Sequence, residues 1–158
     1  DAAFAGAVDA AQLMANSAKK AGIDIEVIRE PNDGYWSNVW NNDAKGWCAC
    51  YWGGRPAETM MFSAAYVAES KWNDTMWKTT DSAVKFNQLV KDARKELDES
   101  KKRDILYECQ RLIYDDGGLL CPLFNSYVSA NSKKIAHGKI AANWDSDGAK
   151  CVERWWFA

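Results

Sequence analysis

The stretch Gly46-Trp47-Cys48-Ala49-Cys50-Tyr51-Trp52-Gly53-Gly54-Arg55-Pro56 constrains the fold more than any other part of the sequence. Residues 47–52 carry no formal charge, half of them are aromatic, and glycines bound them on both sides. So short a run cannot fill a helix; it reads as a strand buried on both faces and ended by Gly53-Gly54. In an open α/β sheet, ligands bind in the crevice beyond the carboxyl ends of the strands. Trp52, Gly53, Gly54 and Arg55 fall there and are candidate ligand contacts. The competing reading is packing alone, with Trp47 and Trp52 in the core and the glycines turning the chain into a helix that Pro56 starts.

The flanking sequence predicts what surrounds this strand. Val8, Ala11, Met14, Ala15 and Ala18 recur at helical spacing over 7–21, with Asp9 in the first turn, Lys19-Lys20 in the last and Gly22 as a stop. Ile23-Asp24-Ile25-Glu26-Val27 alternates apolar with acidic, the period of a strand with one wet face. A helix over 34–43 follows, with Tyr35, Trp36, Val39 and Trp40 forming an aromatic face and Lys45-Gly46 closing it. Strand 23–28, helix 34–43 and strand 47–52 predict a βαβ unit with parallel strands. The fold class expected is therefore α/β, a mixed sheet with flanking helices.

Further along, Pro56-Ala57-Glu58 predicts a helix carrying Met60, Met61, Phe62, Ala65 and Tyr66, and residues 67–82 read as a polar, Trp-bearing connection. The clearest helix covers 82–98, with Phe86, Leu89, Val90, Ala93 and Leu97 on one face and Thr80 or Asp81 as its cap. A second runs from about 100 to 115, presents Ile105, Leu106, Cys109, Leu112 and Ile113, and ends at Gly117-Gly118, so the pair should lie antiparallel. Residues 119–130 read as a strand that Pro122 demotes to an edge or bulge. A turn at Asp145-Ser146-Asp147-Gly148 and an aromatic strand at 154–157 close the chain.

Composition excludes several classes. Lys plus Arg number 20 against 22 Asp plus Glu, a net charge of −2 with no block of like charge, which argues against nucleic acid. No apolar window is long enough to span a bilayer. Asp1-Ala2-Ala3-Phe4 lacks an initiator Met and the basic start of a signal peptide, so the chain is expected to be a fragment or processed form. Five cysteines are too few for a disulfide scaffold, and Cys48-x-Cys50 with no second ligand pair makes a poor metal site. His137 is the only histidine and lies in no nucleophile signature; with no P-loop, dinucleotide fingerprint or serine elbow, neither an enzyme nor a cofactor is expected. Nine Trp must fill a core or line a ligand site, because each ring buries ~150–250 Å² when covered.

The order of these features, with Lys102-Arg103-x-x-Leu106-Tyr107-x-x-x-Gln110 before Cys121-Pro122-Leu123-Phe124 and a closing Glu153-Arg154-Trp155-Trp156, resembles the C-terminal part of bacterial extracellular solute-binding proteins of family five. These are the peptide, oligopeptide and nickel receptors of ABC importers. The resemblance covers nearly the whole chain. It implies a non-enzymatic periplasmic receptor with a type II periplasmic-binding-protein-like fold, of which this chain is most of the second lobe. On that reading, 1–118 form the α/β core of the lobe and 119–158 return toward a missing first lobe; the partners are a small ligand and a membrane permease. Weak or absent ligand binding by the fragment alone, and its self-association, are expected.

Oligopeptide-binding members carry Trp-Cys-Ala-Asp-Tyr, whose aspartate accepts the ligand's α-amino group, and Trp47-Cys48-Ala49-Cys50-Tyr51 is similar except that Cys50 replaces the acid. Cys50, Tyr51, Trp52, Gly53 and Arg55 are accordingly the expected ligand-binding residues. Glu58 is a candidate for the displaced acid, and Arg55 suggests a carboxylate or another anion, with a salt bridge as its alternative role. The departure at Cys50 also admits an opine, a modified amino acid or a sugar-like solute. A different class is an autonomous carbohydrate module in which Trp36, Trp72 or Trp77 stacks on sugar rings; such modules are mostly β.

Overall fold

The computed structural model describes residues 2–42, 44 and 46–158. Capping and periodicity place most of its helices. α1 spans Ala7–Lys19, with Asp9 in its first turn and Lys19 in its last. The chain leaves it through Gly22 at φ 75, a left-handed conformation that glycine adopts without a Cβ penalty. α2 is one turn, Tyr35–Asn38. α3, Glu58–Met61, begins two residues after Pro56 and runs on as a π-helix over Phe62–Tyr66.

α4 (Asp81–Lys95) and α5 (Glu99–Asp116) form the centre of the molecule. Thr80 caps α4 by accepting from the Ala83 N–H at 3.2 Å, and Asp98 caps α5 by accepting from Ser100 and Lys101. Asp116, at the end of α5, accepts from Trp77 Nε1 at 3.0 Å, from Thr80 at 3.1 Å and from Ser82 at the start of α4. Lys85 meets Glu108 at 2.6 Å, so the two helices are antiparallel, as their spacing predicts. Phe86, Val90, Cys109, Leu112 and Ile113 close the core between them, joined by Phe62, Ala65, Tyr66 and Trp77. A smaller cluster of Ala3, Ala7, Tyr35 and Val39 packs with Trp40, Cys48 and Ala49.

The expected mixed sheet is absent. The protein is 45% helical and its one sheet among the described residues has two antiparallel strands. They are β1 (Ile135–His137) and β2 (Trp155–Phe157), with Ala136 opposite Trp156. Residues 23–28 and 47–52 are extended but join no ladder, so no βαβ unit forms. The physical reason lies partly in the crossover. A parallel pair needs a crossover connection, usually a helix that covers the sheet, and α2 stops at Asn38 after four residues, with Asn41 beyond it at φ 56. Lys45, expected to close that helix, lies outside the described residues. Parallel strands also need cover on both faces, whereas Ile23, Ile28 and Tyr51 stay exposed and Trp47, expected in the core, is 59% exposed. The alternation at 23–27 specifies a strand only when a neighbour accepts its hydrogen bonds.

The third expected strand likewise forms no ladder: residues 120–134 are exposed throughout. Beyond them, Asp145–Ala149 is a left-handed turn, with Ser146, Asp147 and Gly148 all at positive φ. Asp147 holds it. Its buried carboxylate accepts from the Ala141 N–H at 2.6 Å and from Trp155 Nε1 at 3.0 Å, and pairs with Arg154 at 3.0 Å. His137 lies against the Trp155 ring, with centroids 5.0 Å apart. The result is a small clip at 135–158.

Candidate functional site

Asn73 explains how a polar connection comes to carry chemistry. This fully buried side chain donates to the carbonyls of Tyr66, Val67 and Trp77 at 3.0–3.3 Å, while its own carbonyl accepts from Thr75. The π-helix leaves its last carbonyls differently placed from those of an α-helix, and Ser70 donates to the Ala64 carbonyl at 2.6 Å. The loop 67–77 is thereby pinned to the core, and Asp74 is presented beside the stretch 47–52.

The Oδ2 atom of Asp74 accepts from Trp40 Nε1 at 2.8 Å, from Trp52 Nε1 at 3.1 Å and from Cys50 Sγ at 3.5 Å. Hydrogen bonds to a charged acceptor contribute about 1.5–3 kcal/mol each, so this one oxygen fixes two indoles and a thiol from two other parts of the chain. Around it the rings form a continuous cluster. Trp40 stacks on Trp72 at 5.5 Å and meets Trp52 and Trp36 edge-on at 6.2 and 5.7 Å; Trp36 in turn meets Tyr51 at 5.6 Å. Tyr35 Oη donates to the Ala49 carbonyl at 2.7 Å and ties the stretch to α2. Burial, and next the Asp74 charge, push the Cys50 thiol up to about 12; the same two causes raise Cys48. Neither is a ready thiolate.

Of the sequence-predicted residues, the structure brings Cys50 and Trp52 to Asp74 and sets Tyr51 on the outer rim. Gly53 and Arg55 join this group through the ring of Trp52 rather than through Asp74. The Arg55 guanidinium is 5.8 Å from the Trp52 ring and 5.3 Å from the Trp144 ring, and donates through Nη1 to the Gly53 carbonyl at 2.6 Å. Among the described residues it has no acidic partner, so the expected alternative of a structural salt bridge is not observed. Glu58 is not gathered here; it lines an open groove of about 500 Å³ with Lys102, Arg103 and Gln110.

Sequence reasoning missed Asp74, Trp40 and Trp144. The available signal was Trp72-Asn73-Asp74, two polar residues set among tryptophans in a loop. Of the three rings considered as a sugar platform, Trp77 is 5% exposed and belongs to the core, and the ammonium of Lys71 lies 4.6 Å from the Trp72 ring. Among the described residues no three metal-ligating side chains converge, and no helix is long and apolar enough to cross a membrane. No family model, curated protein or solved structure matches the chain.

Proposed function

We propose that the chain forms one wall of the ligand cleft in the substrate-binding component of an ABC importer, a non-enzymatic periplasmic receptor that delivers a peptide or related small solute to a membrane permease. The observation that carries this reading is the Asp74 carboxylate at the side of Cys50 and Trp52. Position 50 lacks the acid of the peptide-receptor segment it resembles, and the Asp74 carboxylate beside it would take that role. Over the ring of the same indole stands Arg55, with no acidic partner among the described residues. A carboxylate at the N–H edge of one ring and a guanidinium over it suit a ligand with an amino group at one end and a carboxylate at the other.

Tight binding in such receptors comes from closure of two lobes on the ligand, so these 158 residues alone should bind weakly. In the complete receptor, Asp74→Asn is expected to weaken the dipeptide Ala-Ala about ten- to a hundredfold, the value of one charge-assisted hydrogen bond. N-acetyl-Ala-Ala, which has no free amine, should bind both forms alike. Calorimetry with both peptides is the test; equal affinity of the two forms for Ala-Ala removes Asp74 from the site. Native mass spectrometry of the receptor from its own host should show a co-purifying amino-carboxylate solute, and a neutral sugar there overturns the reading. The carbohydrate alternative draws less support, since Trp77 is core and the clustered rings belong to a largely helical chain.

A further inference from the structure

Trp144 comes from a part of the chain nearly ninety residues beyond Arg55, yet its ring and that of Trp52 are the two aromatic groups recorded against the Arg55 guanidinium. Three observations show that this contact is built. The ring lies against the backbone at position 53, where a Cβ would meet Trp144 Cζ3 at 3.0 Å, tight enough that the ring would have to shift. The residue itself takes φ 64 and ψ 149, a conformation that a bulky side chain adopts only when its surroundings impose it. Those surroundings are the clip: Asp147 gathers Ala141, Arg154 and Trp155 around the loop on which Trp144 rides. Nη1 of Arg55 is occupied by the Gly53 carbonyl, while Nε and Nη2 have no partner among the described residues. A planar guanidinium steadied by rings loses little freedom when it grips a carboxylate bidentately.

We propose that Trp144 is a positioning residue of the ligand site: with Trp52 it holds Arg55 ready for the carboxylate end of a ligand, which makes the C-terminal clip part of the site. The ligand end rests on the receptor reading above; the clamp on Arg55 does not. Residue-resolved phenylglyoxal labelling of the chain tests the clamp without any ligand. In Trp144→Ala, Arg55 should label about two- to fivefold faster relative to the exposed Arg103, the equivalent of one lost cation–π contact. Trp144→Phe should restore slow labelling, and Gly53→Ala should speed it by displacing the ring from the opposite side. Arg154, paired with Asp147, reports whether the clip is intact; if Trp144→Ala exposes Arg154 too, Gly53→Ala and Trp144→Phe decide.

The ligand arm uses the complete receptor. Trp144→Ala should weaken Ala-Ala about two- to fivefold and leave Ala-Ala amide unchanged. Arg55 labelling that stays the same in Trp144→Ala and Gly53→Ala overturns the clamp, whatever binds. Accelerated labelling with unaltered Ala-Ala affinity overturns the carboxylate role. Accelerated labelling in a receptor that binds neither peptide leaves the clamp standing and counts against the receptor reading.

Discussion

Cys50 meets the carboxylate of Asp74, which lies 3.5 Å away on another segment. The neighbourhood makes the thiol inert. Burial first and the Asp74 carboxylate second disfavour its ionised form, and since the thiolate is the nucleophile, a value of about 12 leaves on the order of one thiolate in ten thousand at pH 8. Iodoacetamide at that pH should therefore modify the exposed Cys121 well before Cys50 or the buried Cys109. Removing the nearby negative charge favours the thiolate, so Asp74→Asn should speed Cys50 alkylation severalfold; an unchanged rate by peptide mapping would mean that Asp74 and Cys50 are not in contact. The sequence could flag Cys50 because its neighbours match a short local pattern. It could not supply Asp74, which reaches Cys50 across 24 residues through a loop whose shape depends on one buried asparagine.

At the level of elements, α4 and α5 follow from local chemistry. Thr80, Asp98 and the spacing of Phe86, Val90, Leu112 and Ile113 act within a few residues of where they stand, which is why both helices were legible, the first with Thr80 among its candidate caps, although Asp98 was not read as the cap of the second. Thr80→Ala should cost about 1 kcal/mol in urea unfolding, the usual loss for a helix cap. The same hydroxyl serves Asp116, whose carboxyl is held below the ordinary aspartate range by Ser82, Trp77 and Thr80, in that order. A depressed folded-state value means stabilisation that is complete above the unfolded-state range and fades as pH falls through the folded-state value. The wild-type advantage over Asp116→Asn should therefore shrink on acidification below about pH 4; an advantage that holds constant to pH 2 counts against this linkage. The strands were illegible for the converse reason. Alternation at 23–27 and the apolar run at 47–52 state a capacity for pairing, and pairing depends on a partner that no local pattern contains.

Over the whole molecule, α3 with its π-helical continuation, α4 and α5 share the main core, α1 and α2 contribute to the smaller cluster, and residues 120–134 stay exposed. Leu120, Leu123, Phe124, Tyr127 and Val128 are exposed on a stretch whose backbone joins no sheet, the combination that invites strand pairing between copies. Sedimentation velocity should show association that grows with protein concentration, and Phe124→Lys combined with Val128→Lys should suppress it. A monodisperse monomer at high concentration would show that this stretch is not sticky. The expected mixed sheet and the observed helical pair differ for this same reason, since the chain holds segments capable of forming strands and little to lay them against.

Tyr51, Trp36 and Trp40 follow one another, and Trp40 also meets Trp52 and Trp72, with centroids 5.5–6.2 Å apart. Rings this near one another couple their transitions, and two of the indoles donate to the Asp74 oxygen. Asp74→Asn is therefore expected to change the near-ultraviolet circular dichroism and the tryptophan emission, which would let Asp74 be followed without attaching a label.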